Sequence, residues 1–355
     1  MKADDRLNRK NHGRRSHRAD SEVPDVDIYD LTLPDEACFE PVLLSAVALP
    51  ARLDYDSILA QPFSFEAHED IGAWLAAILA DSPTASRLWV EAERAGWQVG
   101  FADLKNSGSL IDIPSQTVLL DTYALSASAL GRSPYFRNEL LICFVRALRD
   151  IWHEQRYQAL EDEFMPESLL MIERVRSADC DTAALLVGWE LRGAGYTDVW
   201  RHLIGAEEGD MALVFTRFLE RDPSALFDGS ALAYAFRQWY ADESRVDGCD
   251  HDTLEAMDDI LLSYDGKVRP FGERRASVAD IEALTTLPDG RCYLRGLAET
   301  ILRDPFFAGL HDPVNQTHLF HLMYDMEVVM VNNVPFRDAR LARLIFPGAD
   351  HSRVR

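Results

Sequence analysis

The amino-acid sequence predicts a predominantly helical α+β protein, in which a small sheet packs on a long central helix and further helices surround both. Three observations support this prediction. Helical periodicity runs through residues 133–161, three short strand-like segments precede it within 97–123, and helical patterns follow it almost without interruption. The 355 residues are 47% hydrophobic and 10% aromatic, enough for one large domain or two smaller ones.

Charge and cysteine content narrow the class of function. The formal net charge is −23, from 59 acidic and 36 basic residues, and such a surface disfavours nucleic acid and anionic membranes as partners. No apolar run reaches the roughly 18 residues of a membrane span. The five cysteines show no CxxC or zinc-finger spacing, which argues against a disulfide framework or a structural zinc site. We therefore expect a soluble, cytoplasmic protein.

The first 81 residues divide into a basic tail and an acidic extension. Residues 1–21 form the tail, whose first 20 residues carry seven basic and three acidic side chains and no apolar segment typical of a signal peptide. We expect a disordered tail, with a nucleic-acid contact as the alternative. Residues 22–81 hold five prolines and are predicted to wrap around the core, with a short strand or helix at Leu43–Leu49 and a helix at Phe65–Ala80.

A helix, three strands and the long central helix follow in that order. Ser133 is a suitable N-cap and Pro134 a suitable first residue for the central helix. Gly108 ends a four-residue turn that begins at Lys105, where it is free to adopt a positive φ. Cys143, within the central helix, is predicted to be a small buried residue. The predicted elements are a helix at Ser82–Gly96, strands at Trp97–Ala102, Ser109–Ile113 and Thr117–Tyr123, and the central helix at Ser133–Glu161.

The central helix has an apolar stripe and a polar edge. Leu141, Phe144, Leu148 and Ile151 follow helical spacing and are predicted to face the core. Residues four apart share a helix face, so Arg146 and Asp150 are expected to form an ion pair. The polar edge consists of Arg146, Arg149, Asp150, His153 and Glu154.

Helical patterns fill most of the remaining chain. A strand-like run at Met326–Val331 and a turn at Asn332-Asn333 precede a last predicted helix at Pro335–Leu344. The other predicted helices are Pro166–Arg176 running into Ser177–Arg192, Asp198–Ile204, Asp210–Arg221, Gly229–Glu243, His251–Ser263, Ser277–Thr286, Asp289–Arg303 and Gln316–Met323.

The order of helix, small sheet and long helix is that of zincin metallopeptidases, whose long helix carries the HExxH zinc motif. From Leu88 to Asp259 the chain resembles a bacterial family named as putative metallopeptidases, whose members read roughly L-x-H-E-L-R-H-x-W-Q at this helix. The matching run here is Val145–Trp152, in which Leu148, Arg149 and Trp152 agree with the family pattern. The resemblance implies a zincin-like core at 82–264 and a helical C-terminal extension at 265–355.

The three motif positions that would perform the chemistry differ from the family pattern. Arg146 stands at the first His, Ala147 at the Glu and Asp150 at the second His. A guanidinium has no lone pair to offer a metal, and a methyl group cannot act as a base. The family places an acid, the third ligand, where this chain has Ser177. The sequence therefore predicts that the zinc site has been lost and that no cofactor is bound, with zinc as the alternative.

Other residues offer weaker metal-binding patterns. His153 and Glu154 begin an HExxH-like run that ends in Tyr157. This run lies about two helical turns after the run from Arg146 to Asp150, and we expect His153 and Glu154 on an exposed edge. Asp179 and Asp181 are expected to favour the N-terminal turn of a helix beginning near Ser177.

Two further sets of ligand-type residues lie later in the chain. Cys249, Asp250, His251 and Asp252 are adjacent, and Asp250 is predicted to cap the helix that starts near His251. His318 and His321 share a largely apolar helical segment. GxGxxG, P-loop and GxSxG motifs do not occur, so the sequence does not support nucleotide binding or serine hydrolysis.

The sequence thus predicts a pseudoenzyme on a metallopeptidase scaffold that binds a protein or peptide partner, by strand addition to a sheet edge. The first alternative is an active metal-dependent hydrolase with a rearranged site that uses Asp150, His153, Glu154, Asp179 or Asp181. The second alternative is an all-helical scaffold protein, which requires the strands at 97–123 to be misread. The sequence does not indicate an oligomeric state.

Overall fold

Twelve α-helices and seven short strands make up the described part of the chain, which confirms the predominantly helical α+β class. The structure is a computed structural model that describes residues 42–43, 65–157, 163–263, 270–327, 329–331, 334–336, 344–347 and 351–353. The basic tail and most of the acidic extension lie outside the described residues.

A four-stranded sheet precedes the central helix. Its strands are β1 (Val42–Leu43), β2 (Gln98–Ala102), β3 (Ser109–Asp112) and β4 (Thr117–Asp121), in the order β1-β2-β4-β3. β2 and β4 are parallel, while the β1–β2 and β3–β4 pairs are antiparallel. The three predicted strands are confirmed to within two residues at each end, and the all-helical alternative is wrong.

The turn between β2 and β3 holds the sheet against the central helix. Gly108 has φ +74°, as predicted, and Lys105 and Asn106 also have positive φ. A Cβ atom at Gly108 would lie 2.9 Å from the Sγ atom of Cys143, so only glycine allows this approach. The loop and the central helix are therefore in direct contact.

Four helices flank this sheet in sequence: α1 (His68–Leu79), α2 (Pro83–Arg94), α3 (Ala127–Arg132) and the central helix α4 (Pro134–Glu154). Ser133 caps α4 as predicted, because its side chain accepts a hydrogen bond from the Phe136 amide. α4 ends at Glu154 rather than Glu161. Arg156 folds back at this end and donates to the Trp152 carbonyl at 3.2 Å, which satisfies a C-terminal acceptor of the helix.

The next helix, α5 (Pro166–Gly193), is continuous through the residues where the sequence predicted two helical segments. It packs against α4 and against several later helices, and most of its residues are buried. Asp179 and Asp181 therefore lie in the middle of a helix, and the prediction that they favour a helix N-terminus is wrong.

The remaining helices enclose α5. The predicted helix at Asp289–Arg303 is limited to its last six residues, and the helix predicted to begin near His251 begins at Glu243. These helices are α6 (Thr197–Gly205), α7 (Gly209–Arg221), a 3-10 turn (Pro223–Leu226), α8 (Ser230–Trp239), α9 (Glu243–Ser263), α10 (Val278–Leu284), α11 (Ala298–Arg303) and α12 (Pro313–Glu327).

A second, three-stranded sheet follows α12. It consists of β5 (Val329–Val331), β6 (Val334–Phe336) and β7 (His351–Arg353), with β5 in the centre and both pairs antiparallel. The predicted helix at Pro335–Leu344 is wrong at its start, because Pro335 and Phe336 belong to β6; residues 337–343 lie outside the described part. Among the helices described, none combines the length and apolarity needed to cross a membrane.

One large apolar core joins the first sheet to the helices. Trp89 of α2 meets Phe144 of α4 edge-on, with ring centroids 5.6 Å apart, and both side chains are fully buried. The same core continues through α5 to Phe215 and Phe236. It fixes α4 and α5 side by side, and this pairing brings their polar residues together.

Candidate functional site

Helices α4 and α5 face each other with polar stripes as well as apolar ones. Arg146, Arg149, Asp150 and His153 recur at a spacing of three or four residues, so they lie along one side of α4. His153 and Glu154 on this side were predicted to lie on an exposed edge, but the side contacts α5. Helical spacing shows which residues share a face, whereas the packing of a second helix decides whether that face meets water.

The first group along this interface, the outer cluster, consists of Arg146, Asp181, Glu208 and Trp239. The Nε atom of Arg146 donates to Asp181 at 2.6 Å, and the same guanidinium bonds to Glu208. Trp239 donates its Nε1–H to the second oxygen of Asp181 at 2.9 Å. Burial would lower the pKa of Arg146, but Asp181 outweighs burial and raises it. The predicted Arg146–Asp150 ion pair is therefore wrong, because Asp181 of α5 and Glu208, which precedes α7, bind Arg146 instead.

The inner cluster lies next to the outer cluster and is completely buried. It consists of Arg149, His153, Asp179 and Tyr293. Arg149 Nε donates to Asp179 at 2.5 Å, and Tyr293 donates its hydroxyl to the other Asp179 oxygen at 2.6 Å. Burial alone would raise the pKa of Asp179, but Arg149 and a hydrogen bond from His153 lower it to about 2. Asp179 is therefore ionised at neutral pH.

The backbone around α10 completes the inner cluster. Arg149 donates to the carbonyl oxygens of Leu284 and Thr286, at 2.8 and 3.0 Å. Leu284 is the last residue of α10, so its carbonyl has no partner within the helix, and Thr286 lies two residues beyond it. One guanidinium thus ties the central helix to α5 and to a segment more than 130 residues later in the chain.

His153 is 1% exposed, so the prediction that it lies on an exposed edge is wrong. Its Nε2 atom lies 3.0 Å from a carboxylate oxygen of Asp179 and 3.1 Å from the Leu284 carbonyl. Both are acceptors, so Nε2 carries the proton. Burial lowers the pKa of His153, and nearby Arg149 and Arg176 lower it further, against the raising effect of Asp179. The imidazole is therefore neutral at pH 7, with its Nδ1 lone pair facing the Cys180 thiol at 4.0 Å.

A third group, the edge cluster, surrounds Arg176. It consists of Arg176, Asp150, Glu154 and Glu173. The Nη2 atom of Arg176 donates to Asp150 at 2.6 Å and to Glu154 at 2.5 Å, and Nη1 donates to Glu173 at 3.1 Å. Burial raises the pKa of Glu173. Asp150 is the most exposed member, with 35% of its side chain accessible.

The residues at which the resemblance implies zinc chemistry have other contacts. Arg146 is bound to two carboxylates, and Ala147, where the resemblance implies the catalytic base, is buried. Ser177, where it implies a third ligand, contacts the Cys249 thiol at 3.4 Å. Zinc requires lone pairs from nitrogen, sulfur or oxygen donors, and Arg146 presents only N–H groups. Arg146 and Ala147 therefore do not fit zinc.

A different set of donor atoms converges beside the inner cluster. Asp150, His153 and Cys180 each offer one ligand atom, and these three atoms lie within 4.8 Å of one another. His153 Nδ1 is 4.0 Å from Cys180 Sγ and 4.0 Å from an Asp150 oxygen. The sequence indicated Asp150 and His153 but missed Cys180, which lies across the helix interface and has no local motif.

The remaining candidates lie elsewhere or have other partners. Asp250, predicted to be a helix cap, is inside α9 and forms a buried ion pair with Arg174. His251 is mostly exposed and faces Glu255 at 3.1 Å. His318 of α12 pairs with Asp258 at 2.9 Å.

Residues 136–294 match the model of a family described as Putative metallopeptidase family. The matched segment, 159 of the 355 residues, is similar to that family. It begins two residues into α4 and ends just after Tyr293, so it contains the outer, inner and edge clusters but not the β2–β4 strands. Searches of curated proteins and of solved structures returned no significant match.

Proposed function

We propose that this protein is a metallopeptidase-like pseudoenzyme whose family zinc site is lost and which binds an extended peptide segment of a protein partner. The observation that carries the proposal is the outer cluster. Where a zinc ligand would stand, the Arg146 guanidinium binds Asp181 and Glu208. A permanent cation at this point repels a metal ion and supplies no lone pair, and Ala147 offers no base for a metal-bound water.

The partner site that we propose is the free edge of β3. This strand is the last in the sheet order and is hydrogen-bonded to β4 along one side only, within the described part of the chain. A strand edge with unpaired N–H and C=O groups binds an extended peptide by adding it as a further strand. β3 also packs on α4, the helix that carries the outer cluster.

The register of the β3–β4 pair identifies the backbone groups that face outward. The amide of Asp121 donates to the Gly108 carbonyl at 2.9 Å, so residues 108 and 121 are a hydrogen-bonded pair. Such pairs alternate along an antiparallel ladder, which makes Leu110 and Leu119 the next bonded pair. The N–H and C=O of Ile111 therefore point away from β4. Ile113, two residues on, is 52% exposed and adds apolar surface beside the edge.

The catalytic half of this proposal is tested with the purified full-length protein and a pool of unstructured peptides. We expect no peptide hydrolysis that a metal chelator abolishes, with or without added Zn²⁺. Chelator-sensitive turnover would contradict the pseudoenzyme and favour the alternative of a hydrolase with a rearranged site.

The binding half is tested by selecting peptides from a random displayed library and measuring their affinity by fluorescence anisotropy. Substituting Ile111→Pro removes the outward N–H and should weaken binding at least tenfold, because one backbone hydrogen bond is lost and the edge is distorted. Ile111→Val keeps the N–H and is the matched control. Equal binding by both variants would exclude β3 as the docking edge, and a library that yields no binder would overturn peptide binding.

A further inference from the structure

We infer that Asp150, His153 and Cys180 form a binding site for one divalent transition-metal ion of the zinc class, which links α4 to α5. This site is distinct from the lost family site, although it shares Asp150 with it. Its other two donors occupy positions that the family motif does not use for metal.

The donor set matches this class of metal. An imidazole nitrogen, a thiol sulfur and a carboxylate oxygen are the three donor types that bind zinc in proteins. They lie within 4.8 Å of one another before any ion draws them together. Two of them, His153 and Cys180, are buried on rigid helices, while the partly exposed Asp150 gives an ion access from solvent.

The orientation of His153 is that of a metal ligand. Its Nε2–H faces the Asp179 carboxylate, so the Nδ1 lone pair faces Cys180 and Asp150. Metal-ligating histidines typically donate their other ring N–H to a carboxylate in this way, which fixes the tautomer and raises ligand basicity. Asp179 is itself held by Arg149 and Tyr293, so the ring cannot turn without breaking the inner cluster.

The Asp150 oxygen nearest His153 is also the oxygen that Arg176 binds. His153 Nδ1 lies 4.0 Å from that oxygen and 4.0 Å from the Cys180 sulfur, whose S–H is only a weak donor. A divalent ion bound here takes the place of the thiol proton, which is released on binding.

Arg176 does not occupy the whole Asp150 carboxylate, because its guanidinium is shared between Asp150, Glu154 and Glu173. Asp150 can keep Arg176 while it binds an ion, because a carboxylate has about four lone-pair sites.

The test is a titration of the reduced, chelator-treated full-length protein with Co²⁺ and then with Zn²⁺. We expect about one ion per chain, with the near-ultraviolet thiolate-to-cobalt charge-transfer band, displacement of Co²⁺ by Zn²⁺ and a rise in Tm with metal concentration. The variant Cys180→Ala should lose the charge-transfer band and at least tenfold in affinity. Cys249→Ala is the matched control, because its thiol faces Ser177 instead.

A second variant tests the metal site even if Cys180→Ala fails to fold. Asp150→Asn keeps the shape of the side chain at the partly exposed rim, so it should fold normally while weakening metal affinity. Absence of binding by the wild type would overturn the site, and so would an unchanged cobalt spectrum in Cys180→Ala. Neither result affects the proposed function, which fails only through chelator-sensitive turnover or through the peptide-binding experiment.

Discussion

The outer and inner clusters lie side by side at the interface of α4 and α5, yet their α4 side chains, Arg146 and His153, differ in charge and in the groups that they contact. In the outer cluster, a permanently charged guanidinium binds two carboxylates, one of which also accepts the Trp239 N–H. In the inner cluster, a neutral imidazole has Nε2 bound to Asp179 and Nδ1 facing the Cys180 thiol. The comparison teaches that one helix interface can hold an arginine, which offers no lone pair to a metal, beside a histidine that does.

The largest expected effect on stability comes from a substitution in the inner cluster, which is more buried than the outer cluster. Asp179→Ala leaves Arg149 and Tyr293 without their carboxylate in a fully buried position. We expect a loss of about 3–5 kcal/mol in the free energy of unfolding, because an uncompensated buried charge is strongly destabilising. Urea unfolding followed by circular dichroism measures it.

Asp181→Ala is the matched control for Asp179→Ala. Its carboxylate lies in the outer cluster, and Arg146 keeps Glu208 as a partner and some access to water. We therefore expect a smaller loss for this variant. Equal losses for the two substitutions would contradict the assignment of Asp179 as the more constrained carboxylate.

The second prediction concerns how the stability of the protein depends on pH through the buried inner cluster. The folded-state pKa of His153 is lowered from 6.5, so its neutral form contributes stability above pH 6.5 that is lost as the pH falls through the folded pKa. The pKa of Asp179 is lowered from 3.8 to about 2, so about 2 kcal/mol of further stability is lost between roughly pH 4 and 2.

Unfolding in urea at a series of pH values measures both losses. His251→Gln is the control, because His251 is largely exposed and lies outside the clusters, and it should reproduce the wild-type pH profile. A wild-type stability that stays constant between pH 7 and 5 would show that His153 is not held neutral.

The third prediction breaks the outer cluster. Arg146→Met keeps most of the side-chain length but leaves Asp181 and Glu208 without their shared guanidinium. We expect a loss of about 1–3 kcal/mol in the free energy of unfolding. The double variant Arg146→Met with Asp181→Asn should recover part of it, because one of the two facing charges is then removed. Additive losses would show that Arg146 and Asp181 are not coupled.

The smallest expected effect concerns Trp239. Trp239→Phe keeps an aromatic ring but removes the N–H that donates to Asp181. The expected loss is about 1 kcal/mol, that of a single hydrogen bond to a charged acceptor whose other partners remain. Thermal unfolding detects this change, and Trp200→Phe, which alters a buried indole away from the outer cluster, shows how much of it arises from packing alone.

Local sequence signals predicted most of the fold. The N-cap at Ser133, the glycine turn at Gly108 and the three strands are confirmed, because caps, positive φ and period-two patterns depend on a few neighbouring residues. Helix ends were less well predicted. Asp250 looked like a cap, but α9 begins seven residues earlier, and the carboxylate pairs with Arg174 of α5 instead.

The candidate site was predicted only in part. The resemblance identified Arg146, Ala147 and Asp150 as the changed motif positions, and His153 as a candidate ligand. It gave no indication that Glu208 would bind Arg146, 62 positions earlier in the chain. Nor did it indicate that Trp239 and Tyr293 would donate to the α5 acids, 58 and 114 positions before them. Cys180 was missed because it lies on α5, 27 positions after His153 and outside any motif.

By itself, the sequence determined the fold class, the course of the central helix and the absence of the HExxH residues from it, because each depends on residue type and short-range spacing. Only the tertiary structure decided that Arg146 binds Asp181, that His153 is buried and that its Nδ1 atom faces Cys180. These contacts depend on which side of α5 lies against α4. That choice is made by the apolar core, which contains residues of both helices and fixes how they pack against each other.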